Sequence, residues 1–146
     1  MMEEYELESP VDAVITWVDG EDKKHKEKIN RYASKTIKNN NEFFSRYAQV
    51  NEIKFCVHSI LKHANFIRNI FIITDNQIPK FLADEKYDTY KKVKIVYHSE
   101  IFGDNKPSLP VFNSRSIETK IHRIPGLAEH FIYFNDDMIL LRPVSK

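Results

Sequence analysis

One cysteine, no charge imbalance and no long apolar run set the first limits on this sequence. Cys56 has no second cysteine for an internal disulfide. Its place on the apolar stripe of a helix points to a buried structural thiol, not a nucleophile. The 22 basic residues face 21 acidic ones, for a net charge of +1. That balance gives no electrostatic case for nucleic acid or for an anionic membrane surface. No apolar stretch approaches the ~20 residues of a membrane span. Met1 to Ser9 is acidic and lacks the basic and apolar regions of a signal peptide, so the cytoplasm is the expected compartment. The P-loop, the dinucleotide GxGxxG, zinc motifs and the nucleophile elbow are missing as well.

What is present is core material. The 146 residues are 42% hydrophobic and include ten Phe and seven Tyr. One domain is expected, long enough to bury about two thirds of its unfolded surface. Four short apolar runs read as strands: Val11 to Val18, Asn69 to Thr74, Val93 to Tyr97, and Phe131 to Phe134. The last run, four large apolar or aromatic residues, suits the centre of a parallel sheet covered on both faces. Helical patterns separate the runs. Glu21 to Lys38 mixes both charges and reads as a solvated helix face, broken at Asn39 to Asn41. Glu42 to Gln49, with Phe43, Phe44 and Tyr47, should pack, in a secondary structure the pattern leaves open. Asn51 is an N-cap candidate, and Ile53, Val57, Ile60, Leu61 and Ala64 follow at helical spacing. His58 and His63 fall off that stripe and are expected to face solvent. Pro79 suits a helix start, with Phe81, Leu82 and Tyr87 as its apolar side. Residues 101–112, with Gly103, Pro107 and Pro110, read as an irregular loop. Asn113 then caps a helix to about Arg123, with Ile117, Ile121 and Ile124 on one face and Arg115, Glu118 and His122 on the other.

Strands alternating with helices imply a mostly parallel α/β sheet with flanking helices and right-handed crossovers. The four strands end in Asp19, in Asp75, in His98 with Glu100, and in Asp136 with Asp137. In a parallel sheet those ends share one edge, where ligands of such sheets bind. Two adjacent carboxylates there repel each other, and a hard cation shared with substrate phosphates would relieve the cost. An acidic turn capping the next segment explains the pair equally well. Asp19-Gly20 has the same two readings: close approach to a ligand, or an ordinary strand-to-helix turn.

The ordered motifs resemble the Stealth family of sugar-1-phosphate transferases. Val14-Ile15-Thr16-Trp17-Val18-Asp19-Gly20 is similar to the family's first block. Ile67-Arg68-Asn69-Ile70-Phe71-Ile72-Ile73-Thr74-Asp75-Asn76-Gln77-Ile78-Pro79, Leu109 to Ser114, Ile117-Glu118, His122 to Leu127 and Glu129 to Asp137 are similar to the second. The resemblance implies a nucleotide-diphospho-sugar transferase-like (GT-A-like) core, incomplete in these 146 residues. It implies transfer of hexose-1-phosphate or N-acetylhexosamine-1-phosphate from a UDP-sugar to a glycan hydroxyl, in capsular or exopolysaccharide synthesis. Asp136 and Asp137 would serve Mg²⁺ (or Mn²⁺) and the diphosphate, or the acceptor hydroxyl. Glu118, His122 and Arg123 would serve catalysis. Trp17, Asp19, Gly20, Arg68, Asp75 and Asn113 would lie by the nucleotide-sugar. The family's two later blocks fall outside this sequence. A truncated product, an excised fragment, or a piece that joins a separate chain supplying them are the expectations. Rival functions are transfer of the sugar without its phosphate, and a non-catalytic binding module.

Overall fold

The computed structural model of the chain describes residues 9–32, 45, 48, 50–84 and 88–146. It is an α/β fold built on one four-stranded sheet. The strands are β1 (Val11–Thr16), β2 (Ile67–Thr74), β3 (Val93–Tyr97) and β4 (His130–Asn135). All pairs are parallel, in the order β3-β2-β1-β4. All the strand carboxyl ends therefore lie along one edge, as the sequence pattern implies.

Among the described residues the α-helices include α1 (Lys23–Tyr32), α2 (Glu52–His63), α3 (Lys80–Asp84), α4 (His98–Phe102) and α5 (Ser114–Glu118). On one face of the sheet, Val11, Ala13 and Ile15 pack with Ile53, Cys56, Val57 and Ile60 of α2. On the other, Val14, Phe71 and Ile73 pack with Ile101, Phe102, Ile117, Ile121 and Ile124. This two-sided burial explains why β1 and β2 are nearly continuous apolar runs instead of alternating ones.

Several expectations are corrected. Among the described residues β4 is an edge strand, not a central one: it pairs with β1 alone, and Phe131 and Ile132 are each 38% exposed. Order across a sheet follows from which crossovers pack, and strand composition does not encode it. The 113–123 helix is broken. α5 stops at Glu118 and a separate 3-10 turn spans Ile121–Arg123, although all three isoleucines reach the core. Residues 101–108 are not irregular: α4 runs through Phe102 into a 3-10 helix, Gly103–Ser108. Its cause is apolar, since Ile101 and Phe102 are buried.

Asn51 precedes α2 in a left-handed conformation (φ 69°), and its side chain caps nothing. Glu52 takes over locally by accepting from Val50 N. His58 and His63 are half-buried instead of solvent-facing, and His58 hydrogen-bonds and stacks on Tyr90. Cys56 is fully buried, as expected, and donates weakly to Asn135 O. The end of the first helix beyond Tyr32, the Asn39–Asn41 break, Phe43, Phe44, Tyr47 and Tyr87 lie outside the described residues.

Candidate active site

The site follows from where the strands stop. Beyond Thr16 the chain passes through Trp17 and Val18 to Asp19. Beyond Thr74 it reaches Asp75, beyond Tyr97 it reaches His98, and beyond Asn135 it reaches the two aspartates. A cleft of about 650 Å³ opens at this edge. One wall is Thr16, Trp17 and Val18 with Asn135 and Asp136; the facing wall is Val111 to Arg115 with Ile117. His25 and His98 close its floor. The volume suits a small-molecule ligand.

Local chemistry fixes both walls. Asn113 caps α5 by accepting from Arg115 N at 3.0 Å, and both residues line the cleft. Tyr133 bonds Thr16 Oγ1 at 2.8 Å and donates to Glu118 Oε1 at 3.3 Å, tying β4 to β1 and to α5. Burial pushes the Tyr133 phenol up, so it is a neutral donor at pH 7.

The floor is a buried polar cluster. Lys28 Nζ bonds both Asp75 oxygens, at 2.9 and 2.8 Å, and His25 Nδ1 lies 3.5 Å from Asp75 Oδ2. His25, followed by Lys28, holds the Asp75 carboxyl down to about 2 against the upward push of burial. His98 is only 5% exposed and burial pushes it down to about 4, so it is neutral at pH 7. Its Nδ1 and the Thr74 hydroxyl are buried without a hydrogen-bond partner. Such groups cost free energy unless a ligand or water meets them. A second cleft, about 520 Å³, shares His98 and is lined by Lys24, Lys28, Arg31, Tyr32 and Asn76 among others.

The residues singled out in the sequence separate into three sets. Trp17, Asn113, Arg115 and Asp136 come together in the first cleft. Asp19, Gly20, Asp75, Asp137 and Glu118 sit around it without lining it. Asp19 exchanges two hydrogen bonds with Gln77 and caps Glu21 N, and Asp137 is exposed. His122, Arg123 and Arg68 are elsewhere. His122 and Arg123 are exposed beyond α5, with Arg123 reaching Phe102 O at 3.5 Å. Arg68 is the second residue of β2, at the amino end of the sheet, and bonds Asp12 at 3.0 and 2.6 Å and Gly126 O at 2.8 Å.

Sequence reasoning missed Asp12, His25 and Lys28. A charged residue inside the apolar run of β1 was the available signal for Asp12. For His25, the signal was its spacing four residues before Ile29, which places both on the buried side of α1.

Among the described residues no group of three or more His, Cys, Asp or Glu is placed to hold a metal ion. An all-protein cage is therefore not the fit. Adjacent carboxylates at a cleft mouth suit a hard cation that takes its other ligands from water and phosphate oxygens.

The chain matches Stealth protein conserved region 2 over residues 46–146 and conserved region 1 over residues 9–36. It belongs to the Stealth family. Capsular polysaccharide phosphotransferase fcs1 of Haemophilus influenzae is 43% identical over 141 residues, 94% of this chain and 36% of that protein. Capsular polysaccharide phosphotransferase LcbA of Neisseria meningitidis is 40% identical over 138 residues, 93% of this chain and 36% of that one. Exopolysaccharide phosphotransferase SCO6021 of Streptomyces coelicolor is 40% identical over 136 residues, 93% of this chain and 24% of that protein. This Stealth chain thus spans about a quarter to a third of the length of these curated relatives. No helix among its described residues is long and apolar enough to cross a membrane.

Proposed function

We propose that this Stealth chain forms the donor-binding part of a sugar-1-phosphate transferase of capsular or exopolysaccharide synthesis. The donor is a UDP-sugar and the acceptor a glycan hydroxyl. The hydroxyl oxygen attacks the β-phosphorus, the bond between the two phosphates breaks, and UMP leaves. The sugar keeps the β-phosphate and becomes joined through a phosphodiester.

The observation that carries this reading is the convergence of Asp136 with Trp17, Asn113 and Arg115 in one cleft at the carboxyl edge of the sheet. Trp17 is 8% exposed and packed in the core, and what borders the cleft is an apolar edge for the nucleoside. Arg115 offsets phosphate charge with donors in a planar fork. Asp136 and Asp137 would hold Mg²⁺ (or Mn²⁺), which supplies neutralisation of the diphosphate when bound. A carboxylate or a histidine takes the proton released by the attacking hydroxyl. His98, whose buried Nδ1 has no hydrogen-bond partner among the described residues, lines the same cleft as Asp136 and would be met there by a sugar hydroxyl.

The test uses a UDP-sugar labelled at the β-phosphate, the longer protein that carries this region, and a capsular glycan acceptor. Label in the glycan is the expected outcome. Sugar incorporated without label overturns phosphate transfer in favour of ordinary glycosyl transfer. On the chain itself, calorimetric titration with UDP-sugar and Mg²⁺ should give heat that Asp136→Asn abolishes. Equal heats for both proteins would remove Asp136 from the site.

A further inference from the structure

The second cleft is joined to the cleft that holds Asp136. His98 lines both. The wall of the first cleft from Val111 to Arg115 continues back into the second through Leu109 and Pro110. The two also divide one polar cluster between them. His25 lines the first, Lys28 and Asp75 line the second, and both His25 and Lys28 reach the Asp75 carboxylate. The sheet edge therefore carries one trough in two compartments, about 650 and 520 Å³. They meet at a histidine that is 5% exposed and whose Nδ1 has no hydrogen-bond partner among the described residues.

The compartments differ in chemistry. The second is lined by Lys24, Glu27, Lys28 and Arg31 of α1, spaced i, i+3, i+4 and i+7 and so on one helix face. Lys28 is neutralised by Asp75, at 2.9 and 2.8 Å. Among the described residues, Lys24 and Arg31 form no ion pair with a carboxylate. Three cations against two carboxylates, Glu27 and Asp75, leave the described lining with an excess of one positive charge. Tyr32 ends the same helix, 60% exposed, with the Arg31 guanidinium 5.9 Å from its ring centre. An aromatic face packs against the C–H face of a sugar ring, and a guanidinium fork beside it takes phosphate oxygens.

Resting on the phosphodiester transfer proposed above, we propose that the second cleft is a subsite for an anionic acceptor glycan, with a sugar ring on Tyr32 and a phosphodiester between Lys24 and Arg31. In that transfer each added sugar leaves a phosphodiester behind. A glycan that has received one sugar therefore carries an anion one sugar back from its next attacking hydroxyl. The donor occupies the cleft with Asp136, and the hydroxyl must reach the β-phosphorus from the side away from UMP. A glycan lying in the second cleft presents its end at His98, where the compartments meet, and a hydroxyl of its terminal sugar bonds the buried Nδ1. A nucleoside diphosphate is the poorer occupant. The excess of one positive charge matches a single phosphodiester, and Asp75 is already engaged by Lys28 and His25 instead of being open to a metal ion.

Calorimetry on this chain tests the subsite apart from the donor reading. The probes are a short N-acetylhexosamine oligosaccharide joined by phosphodiesters, a neutral oligosaccharide of the same length, and inorganic phosphate, each without UDP-sugar. The phosphodiester oligosaccharide should bind, with roughly tenfold weaker affinity for Lys24→Glu and for Arg31→Glu. The weaker affinity for the neutral oligosaccharide should be the same in those variants as in the parent. Tyr32→Ala should weaken both oligosaccharides about threefold. All three positions are exposed, so circular dichroism of each variant should match the parent, as should its heat with UDP-sugar and Mg²⁺. The proposal is overturned by no binding of the phosphodiester oligosaccharide, by equal affinity for the two oligosaccharides, or by inorganic phosphate competing as well as either. Loss of UDP-sugar binding in the Lys24 and Arg31 variants would also overturn it, by giving the second cleft to the donor. If UDP-sugar gives no heat with the parent while the phosphodiester oligosaccharide binds as described, the donor reading falls and the subsite stands.

Discussion

Asp12 at the amino end of β1 and Asp75 just past the carboxyl end of β2 are both withdrawn from water, and they are used in opposite ways. Asp12 is wholly buried and accepts from Arg68 Nε and Nη2, Asn69 N and Ala128 N. Burial alone would push its carboxyl up, but Arg68 and the two amides outweigh it and hold it below the usual carboxylate range. Each of its neighbours is satisfied. Asp75 lies in a cluster that is only partly satisfied, beside a bare His98 nitrogen and a bare Thr74 hydroxyl. A fully connected buried network fixes geometry, whereas a partly connected one is left open for a ligand. The amino end of this sheet is closed by a satisfied ion pair, and the carboxyl end, where the proposed site lies, keeps unsatisfied buried polar groups.

The sharpest way to break that contrast is at Asp12. Asp12→Ala leaves two backbone amides without their acceptor beside a half-exposed guanidinium, and should cost about 2–3 kcal/mol of folding stability. Urea denaturation reads it. A loss under about 1 kcal/mol would mean the amino end is not the anchor.

Acid separates the two ends next. His98 is held to about 4, whereas an unfolded histidine titrates near 6.5. Between those values the unfolded chain binds the extra proton, so stability rises with pH and is lost as pH falls below about 6.5. Going from pH 7 to pH 5 should remove about 2 kcal/mol, and His98→Gln should flatten that slope. Asp75 acts lower. Its stabilisation is full above about pH 4 and fades as pH falls toward about 2. A stability flat from pH 7 to 5 in the parent chain would show that His98 is not buried neutral.

A smaller effect concerns the wall. Tyr133→Phe keeps the ring and removes the hydroxyl that bonds Thr16 and Glu118. About 1 kcal/mol should be lost, together with weaker UDP-sugar binding in calorimetry. Unchanged affinity would detach β4 from the cleft.

The smallest expected change is at Cys56. Burial first, and then the charges of Asp136 and Asp137, push the thiol up to about 12. It should resist a disulfide reagent at pH 8 in the folded chain and react at once in urea.

Much of this was legible in the sequence and some was not, for definable reasons. The strand tips at Asp75, His98 and Asp136 could be found because parallel strands put like ends together, whatever their order. That order could not be found, so β4 was placed centrally from its composition alone. Arg68 was grouped with the nucleotide site by its motif, yet it lies near the start of a strand, and the starts of parallel strands lie a whole strand length from the tips. The pairing of Lys28 with Asp75 joins residues 47 apart, and no local pattern marks it. α1 looked solvated because its basic residues outnumber its two buried ones, His25 and Ile29.

The position of β1 between β2 and β4 has a consequence for how the chain is made. The strand that nucleates the sheet in sequence is flanked on one side by a segment emerging 117 residues later, the separation between Thr16 and Tyr133. During synthesis the first strand waits with one side unpaired, and such non-local pairing is slow and exposed to aggregation. Nascent Stealth chains of this kind should depend on chaperones until the paired aspartates have cleared the ribosome.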